Sequence, residues 1–211
     1  GGAVTEIFDP RLFASVFITL FVIMDPPGTV PIFLGLTGAM TRKQRNRAAW
    51  QAVTVALGVI VSFAVFGQSI LSYMHISLAA LQASGGLLLL LIAMELLTGK
   101  MEEQQASPNA KVNVALVPLG TPPLLAGPGA IVATMVFVKQ ADGTVGGDWT
   151  AICLAIVAVH VSLYLAMRFA NVIHRVLKDS GTILVTRIAG LLLAAIAVQL
   201  IADAVTAFVQ Q

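Results

Sequence analysis

The chain has 211 residues, of which 58% are hydrophobic and only 10% charged, with a formal net charge of +2. A soluble domain carries about 25% charged residues, so this composition excludes a fold that is solvated by water on all sides. One cysteine, Cys153, excludes an intrachain disulfide and a multi-cysteine metal site. The basic residues sit between apolar runs, where they speak to membrane topology rather than to nucleic acid.

A membrane-spanning helix needs about 20 apolar residues, and six segments have that length. The first runs from about Arg11 to Met40 and is interrupted at Asp25-Pro26-Pro27-Gly28. Asp9-Pro10-Arg11 leads straight into it, which is not the layout of a cleavable signal. The second runs from about Arg47 to Tyr73, and the third, almost purely aliphatic, from Leu78 to Thr98. A polar linker, 99–111, follows. The fourth, from about Val112 to Lys139, is interrupted twice, at Gly120-Thr121-Pro122-Pro123 and at Gly127-Pro128-Gly129. The fifth runs from about Trp149 to Val172 and the sixth from about Ile183 to Val209, with a loop between them.

Six crossings place the basic residues very unevenly. Arg42, Lys43, Arg45, Arg47, Lys100, Lys111, Arg168, Arg175, Lys178 and Arg187 fall on one side, Arg11 and Lys139 on the other, a split of ten to two. The positive-inside rule puts the rich side in the cytoplasm and both termini outside.

The chain also repeats itself. Gly86-Leu87-Leu88-Leu89-Leu90-Leu91-Ile92-Ala93-Met94-Glu95-Leu96-Leu97 aligns with Gly190-Leu191-Leu192-Leu193-Ala194-Ala195-Ile196-Ala197-Val198-Gln199-Leu200-Ile201 at seven of twelve positions. Pro27-Gly28-Thr29-Val30 matches Pro128-Gly129-Ala130-Ile131 in kind at nearly the same offset. Three crossings per half is an odd number, so the second half runs inverted. The expected fold is all-α: two inverted-topology three-helix repeats, 1–98 and 112–211, with helices 1 and 4 broken and 99–111 as a cytoplasmic linker.

The breaks carry the chemistry. Proline removes a backbone donor and clashes with the preceding turn. Pro26-Pro27-Gly28 is therefore expected to unwind the first helix mid-membrane, and Pro128 to do the same in the fourth. Backbone groups freed in hydrocarbon must face protein or a polar cavity. Half-helices starting near Gly28 and Gly129 would aim their positive ends there, a ready site for a carboxylate. Paired discontinuous helices in inverted halves point to a transport site. Asp25 reads equally as a substrate-amine or cation ligand and as a cap on the second half-helix. Glu95 is either a proton-coupling carboxylate or a residue of the cytoplasmic end. Asp203 is expected at the interface, and His160 more as a packing residue than as a ligand. Gly85, Gly86, Gly190, Ala194 and Ala197 are spaced for close helix packing. There is no nucleotide loop, metal-ligand cluster or nucleophile–base pair, so the sequence implies neither an enzyme nor a cofactor.

Asp25-Pro26-Pro27-Gly28-Thr29-Val30-Pro31-Ile32-Phe33, the basic Thr41-Arg42-Lys43-Gln44-Arg45 and Ala126-Gly127-Pro128-Gly129-Ala130-Ile131 resemble the MarC family of prokaryotic membrane proteins, over essentially the whole chain. Where family members typically carry Asn after the motif glycine, this chain has Thr29, which keeps a hydroxyl and lacks the amide. The family includes the SnatA-type small neutral amino-acid transporters. The resemblance therefore implies ion-coupled transport of glycine, alanine and similar amino acids in a prokaryotic plasma membrane. The expected substrate-binding residues are Asp25, Pro26, Pro27, Gly28, Thr29, Thr121, Gly127, Pro128, Gly129 and Ala130. Asp25 and Glu95 are the candidates for ion coupling. The expected partners are small neutral amino acids and membrane lipid, without nucleic acid; association into a homo-oligomer stays open. A passive channel and a non-transporting scaffold are the rival readings.

Overall fold

The computed structural model describes residues 8–99, 127–141 and 147–210. Thr121, Ala126, nearly all of the linker and the first part of the fourth segment lie outside these residues. The described chain is helical, without strands: α1 Pro10–Met24, α2 Pro26–Leu36, α3 Arg42–Tyr73, α4 Leu78–Thr98, α5 Pro128–Ala141, α6 Gly147–Arg168 and α7 Ala170–Val209. With α1 and α2 counted as one interrupted span, five helices are long and apolar enough to cross a membrane, and α5 is a shorter apolar helix.

Local chemistry sets the helix ends. Asp9 caps α1, accepting from the N–H of Arg11 and Leu12 at 3.0 and 3.2 Å, and Pro10 occupies the first helical position. Thr41 and Gln44 form a reciprocal capping box. This box starts α3 at Arg42 rather than near Arg47, so the basic motif forms its first turns. Ser77 caps α4, and Gly99, in the left-handed region at φ 78°, closes it.

The expected loop between the fifth and sixth crossings is replaced by helix. α6 ends at Arg168 and α7 starts at Ala170, with a single non-helical residue, Lys178 (φ 56°, ψ −174°), inside it. His174, Arg175, Lys178, Asp179 and Ser180 break the apolar run, but an amphipathic helix at a membrane surface satisfies its own backbone as well as a loop would.

The packing uses small residues. Without a hydrophobic driving force between helices in lipid, close van der Waals contact has to hold them together. Ala48, Ala49, Ala52 and Ala56 of α3 and Ala151 and Ala155 of α6 are buried. The most extensive helix pair is α4 with α7. A Cβ on Gly86 would lie 2.9 Å from the carbonyl oxygen of Ala197, and one on Gly190 would lie 3.3 Å from that of Ala93. The two contacts exchange under the register that aligns Gly86 with Gly190, and their order makes α4 and α7 antiparallel. Further along the same pairing, Arg187 donates to the carbonyl of Leu96 at 2.7 Å.

α4 is also antiparallel to α5, since Gly85 abuts Val132 and Leu89 abuts Gly129. The outward faces are apolar: Phe66, Leu91, Leu191 and Val176 are all well exposed. That surface suits lipid and not water.

Candidate functional site

The first break is narrower than the sequence suggests. Only Asp25 leaves the helix, in the left-handed conformation (φ 47°, ψ 70°), and α2 starts at Pro26 rather than near Gly28. Aspartate tolerates this conformation better than most residues. Its N–H still donates to Phe21 O at 2.9 Å, so α1 is complete up to the break.

The donors of the new helix start are then used up. Pro26 and Pro27 have no N–H, and Gly28 N–H donates to the Asp25 carboxylate at 3.2 Å. A Cβ on Gly28 would collide with that carboxylate, so glycine is required there by the cap itself. Contrary to expectation, this half-helix offers no free donor to a carboxylate. Asp25 serves as its cap.

What the first break leaves open is acceptors. The two prolines cannot donate to the carbonyls of Val22 and Ile23, which lie one turn before them, and Pro31, inside α2, cannot donate to Pro27. Thr29 is buried, and its hydroxyl turns back to the Asp25 carbonyl at 2.9 Å and towards the Met24 carbonyl at 3.4 Å. Thus Thr29 bonds back across the break, and among the described residues no donor is recorded to the carbonyls of Val22 and Ile23.

The second break is built the other way. α5 starts at Pro128, and Gly127 stands in the capping position, its carbonyl accepting from Ile131 N–H at 3.2 Å. Glycine has no side chain with which to cap. Among the described residues nothing accepts from the N–H of Gly129 or Ala130. Both residues are buried. A Cβ on Gly129 would collide with Leu89 and lie 3.4 Å from Cγ2 of Ile23. The uncapped start of α5 therefore sits against the last turn of α1, where the spare carbonyls are.

His160 belongs at the same level. It is only 2% exposed; Nδ1 lies 2.7 Å from the Ile156 carbonyl, and the buried Nε2 has no partner among the described residues. α6 packs along both α1 and α2, and Phe33 and Leu34 share a cavity with Met167, Arg168 and Phe169, so α6 runs parallel to α1–α2. His160 is seven residues before Met167, and Asp25 is eight before Phe33. At 1.5 Å per residue these are about 10 and about 12 Å, so the two lie at one depth. The burial of His160 fits the packing role expected from the sequence. A lone buried histidine is usually satisfied on both nitrogens, and only the structure exposes the missing partner.

Glu95 does not join the group. The level of the breaks on α4 is Leu89, and Glu95 lies six residues further on, about 9 Å along the axis. It is half-buried, within one turn of the end of α4. Asp203 is exposed, as expected near an interface, and accepts from Gln199 at 2.8 Å. No three potential metal ligands converge among the described residues.

Comparison with known proteins agrees with this architecture. Residues 11–209 match the model of the MarC family integral membrane proteins. A UPF0056 membrane protein of Methanocaldococcus jannaschii is 37% identical over 202 residues, covering 93% of this chain and 97% of its own length. YvbG of Bacillus subtilis is 32% identical (88% and 90% covered), and YhcE of Escherichia coli is also 32% identical (92% and 92%); both are likewise UPF0056 membrane proteins. No solved structure matches. The chain is a multi-pass integral membrane protein and belongs to the MarC family.

Proposed function

We propose that the protein is a secondary transporter of small neutral amino acids, such as glycine and alanine, working by alternating access between two inverted three-helix repeats, 1–98 and 112–211. One observation carries this reading. The uncapped N–H groups of Gly129 and Ala130 sit against the α1 turn that holds the spare carbonyls of Val22 and Ile23. A zwitterion matches that pair: its carboxylate takes the helix start, and its ammonium takes the carbonyls and the Asp25 carboxylate. Leu89 and Ile23 pack so closely on Gly129 that a Cβ there would collide with Leu89, which disfavours a large side chain beside the helix start. The reciprocal contacts of Gly86 with Ala197 and Gly190 with Ala93 support the inverted repeat.

His160 Nε2 supplies a further polar group for the substrate or a coupling proton. Glu95, away from the breaks, is better placed in a relay towards the cytoplasmic face than in the site. The Arg-rich face lies in the cytoplasm of a prokaryotic plasma membrane, and both termini lie outside.

Counterflow tests the reading. Protein reconstituted into liposomes loaded with unlabelled alanine should take up labelled alanine transiently above equilibrium, in a saturable manner. Uptake indifferent to internal alanine is the behaviour of a channel. Uptake that ignores an imposed pH gradient but responds to sodium replaces proton coupling with sodium coupling.

A further inference from the structure

At the end of the molecule where α2 and α6 finish and α3 and α7 begin lies a cavity of about 280 Å³. Among the described residues its polar lining consists of Arg42, Arg45, Arg168 and Arg175 with Asn46 and Asn171, and includes no carboxylate. Four arginines around one cavity give it a positive field that favours an anion. Arg45 sharpens the point: its Nε is buried and has no hydrogen-bond partner among the described residues. A buried, charged donor without an acceptor is costly, and a bound acceptor removes that cost.

The first turn of α7 adds to the same field. Ala170, Asn171 and Val172 border the cavity, and Phe169, in the capping position before α7, provides no side-chain cap. Its positive end thus faces the space between the arginines. Arg168 is held over the Phe169 ring, 5.4 Å from its centroid. Exposed Phe169, Val172 and Val176 make the adjoining outer surface apolar.

We propose that this cavity is a binding site for a phosphate group, separate from the transport site between the breaks. Arginine forks match phosphate oxygens in pairs, which lysine does not do. The phosphate can be carried by an anionic phospholipid, whose chains would lie along Phe169, Val172 and Val176, or by a soluble phosphate or pyrophosphate ion.

The test uses the purified full chain in detergent. Native mass spectrometry counts retained phosphatidylglycerol against phosphatidylcholine, and thermal melting is followed with inorganic phosphate and with pyrophosphate. Either phosphatidylglycerol is retained in preference, or a soluble phosphate raises the melting temperature saturably; which of the two occurs identifies the source. Arg45→Gln and, on the exposed rim, Arg175→Gln should each weaken that binding about tenfold. Arg45→Lys should recover only part of it, and Lys139→Gln, on the other face, none of the loss. Should Arg45→Gln fail to fold, Arg175→Gln decides alone. Absence of binding by either source, or binding unchanged in the arginine variants, overturns the proposal.

Discussion

At the first helix break Asp25 folds its carboxylate over the new helix start and takes its only available donor; at the second break Gly127 has nothing with which to do so. Both breaks carry a proline and a glycine, and both are expected to unwind a helix. They dispose of their polar groups in opposite senses. The first closes its donors and leaves the carbonyls of Val22 and Ile23 open. The second leaves the N–H groups of Gly129 and Ala130 without an acceptor among the described residues. A pair of identical breaks would present the same charge twice, whereas this pair presents complementary charges to a zwitterion. On the proposed reading, this difference, aspartate against glycine in the capping position, is what would make the pair a site for a zwitterion.

The largest effect is expected from filling the space at the second break. Gly129→Val forces Leu89 to move, with overpacking of about 1–3 kcal/mol. Alanine binding measured by scintillation proximity should be lost while the protein still inserts and purifies as a monodisperse species. Retained binding would move the site away from α5.

Asp25 tests the first break. Asparagine caps as well as aspartate, so Asp25→Asn should melt close to the parent protein but bind alanine about tenfold more weakly, because the negative charge facing the ammonium is gone. Asp25→Ala should lose the cap as well, about 0.5–2 kcal/mol. Normal binding by Asp25→Asn would restrict this residue to capping. The smallest effect belongs to Thr29→Val. Loss of the hydroxyl bond to Asp25 O should cost about 1 kcal/mol in thermal stability and change alanine affinity little.

Much of this was legible in the sequence, because hydropathy, proline and glycine act locally. Hydropathic lengths mark the five spans, and the prolines mark the first break and the start of α5, the chain before Gly127 lying outside the described residues. The division of labour between the breaks was misjudged at one point. Free donors were assigned to the half-helix at Gly28, and that assignment depends on which residue starts the helix. Once Pro26 occupies the first position, the donors are gone. His160 was beyond reach, since its depth relative to Asp25 depends on how α6 registers against α1–α2. The arginines of the basic face were read as topology signals alone, because residues from α3, α6 and α7 share a cavity only after folding. The helix over 173–182 was missed because a surface-lying amphipathic turn has the composition of a loop.

The comparison between the breaks is tested most directly by making the second resemble the first. Gly127 precedes Pro128 at the start of α5, as Asp25 precedes Pro26 at the start of α2. Gly127→Asp should place a carboxylate over the N–H groups of Gly129 and Ala130, as Asp25 does for Gly28. The account predicts a melting temperature equal to or slightly above that of the parent protein, since aspartate is at least as good a cap as glycine, together with loss of alanine binding. Undiminished alanine binding by a folded Gly127→Asp protein would contradict it.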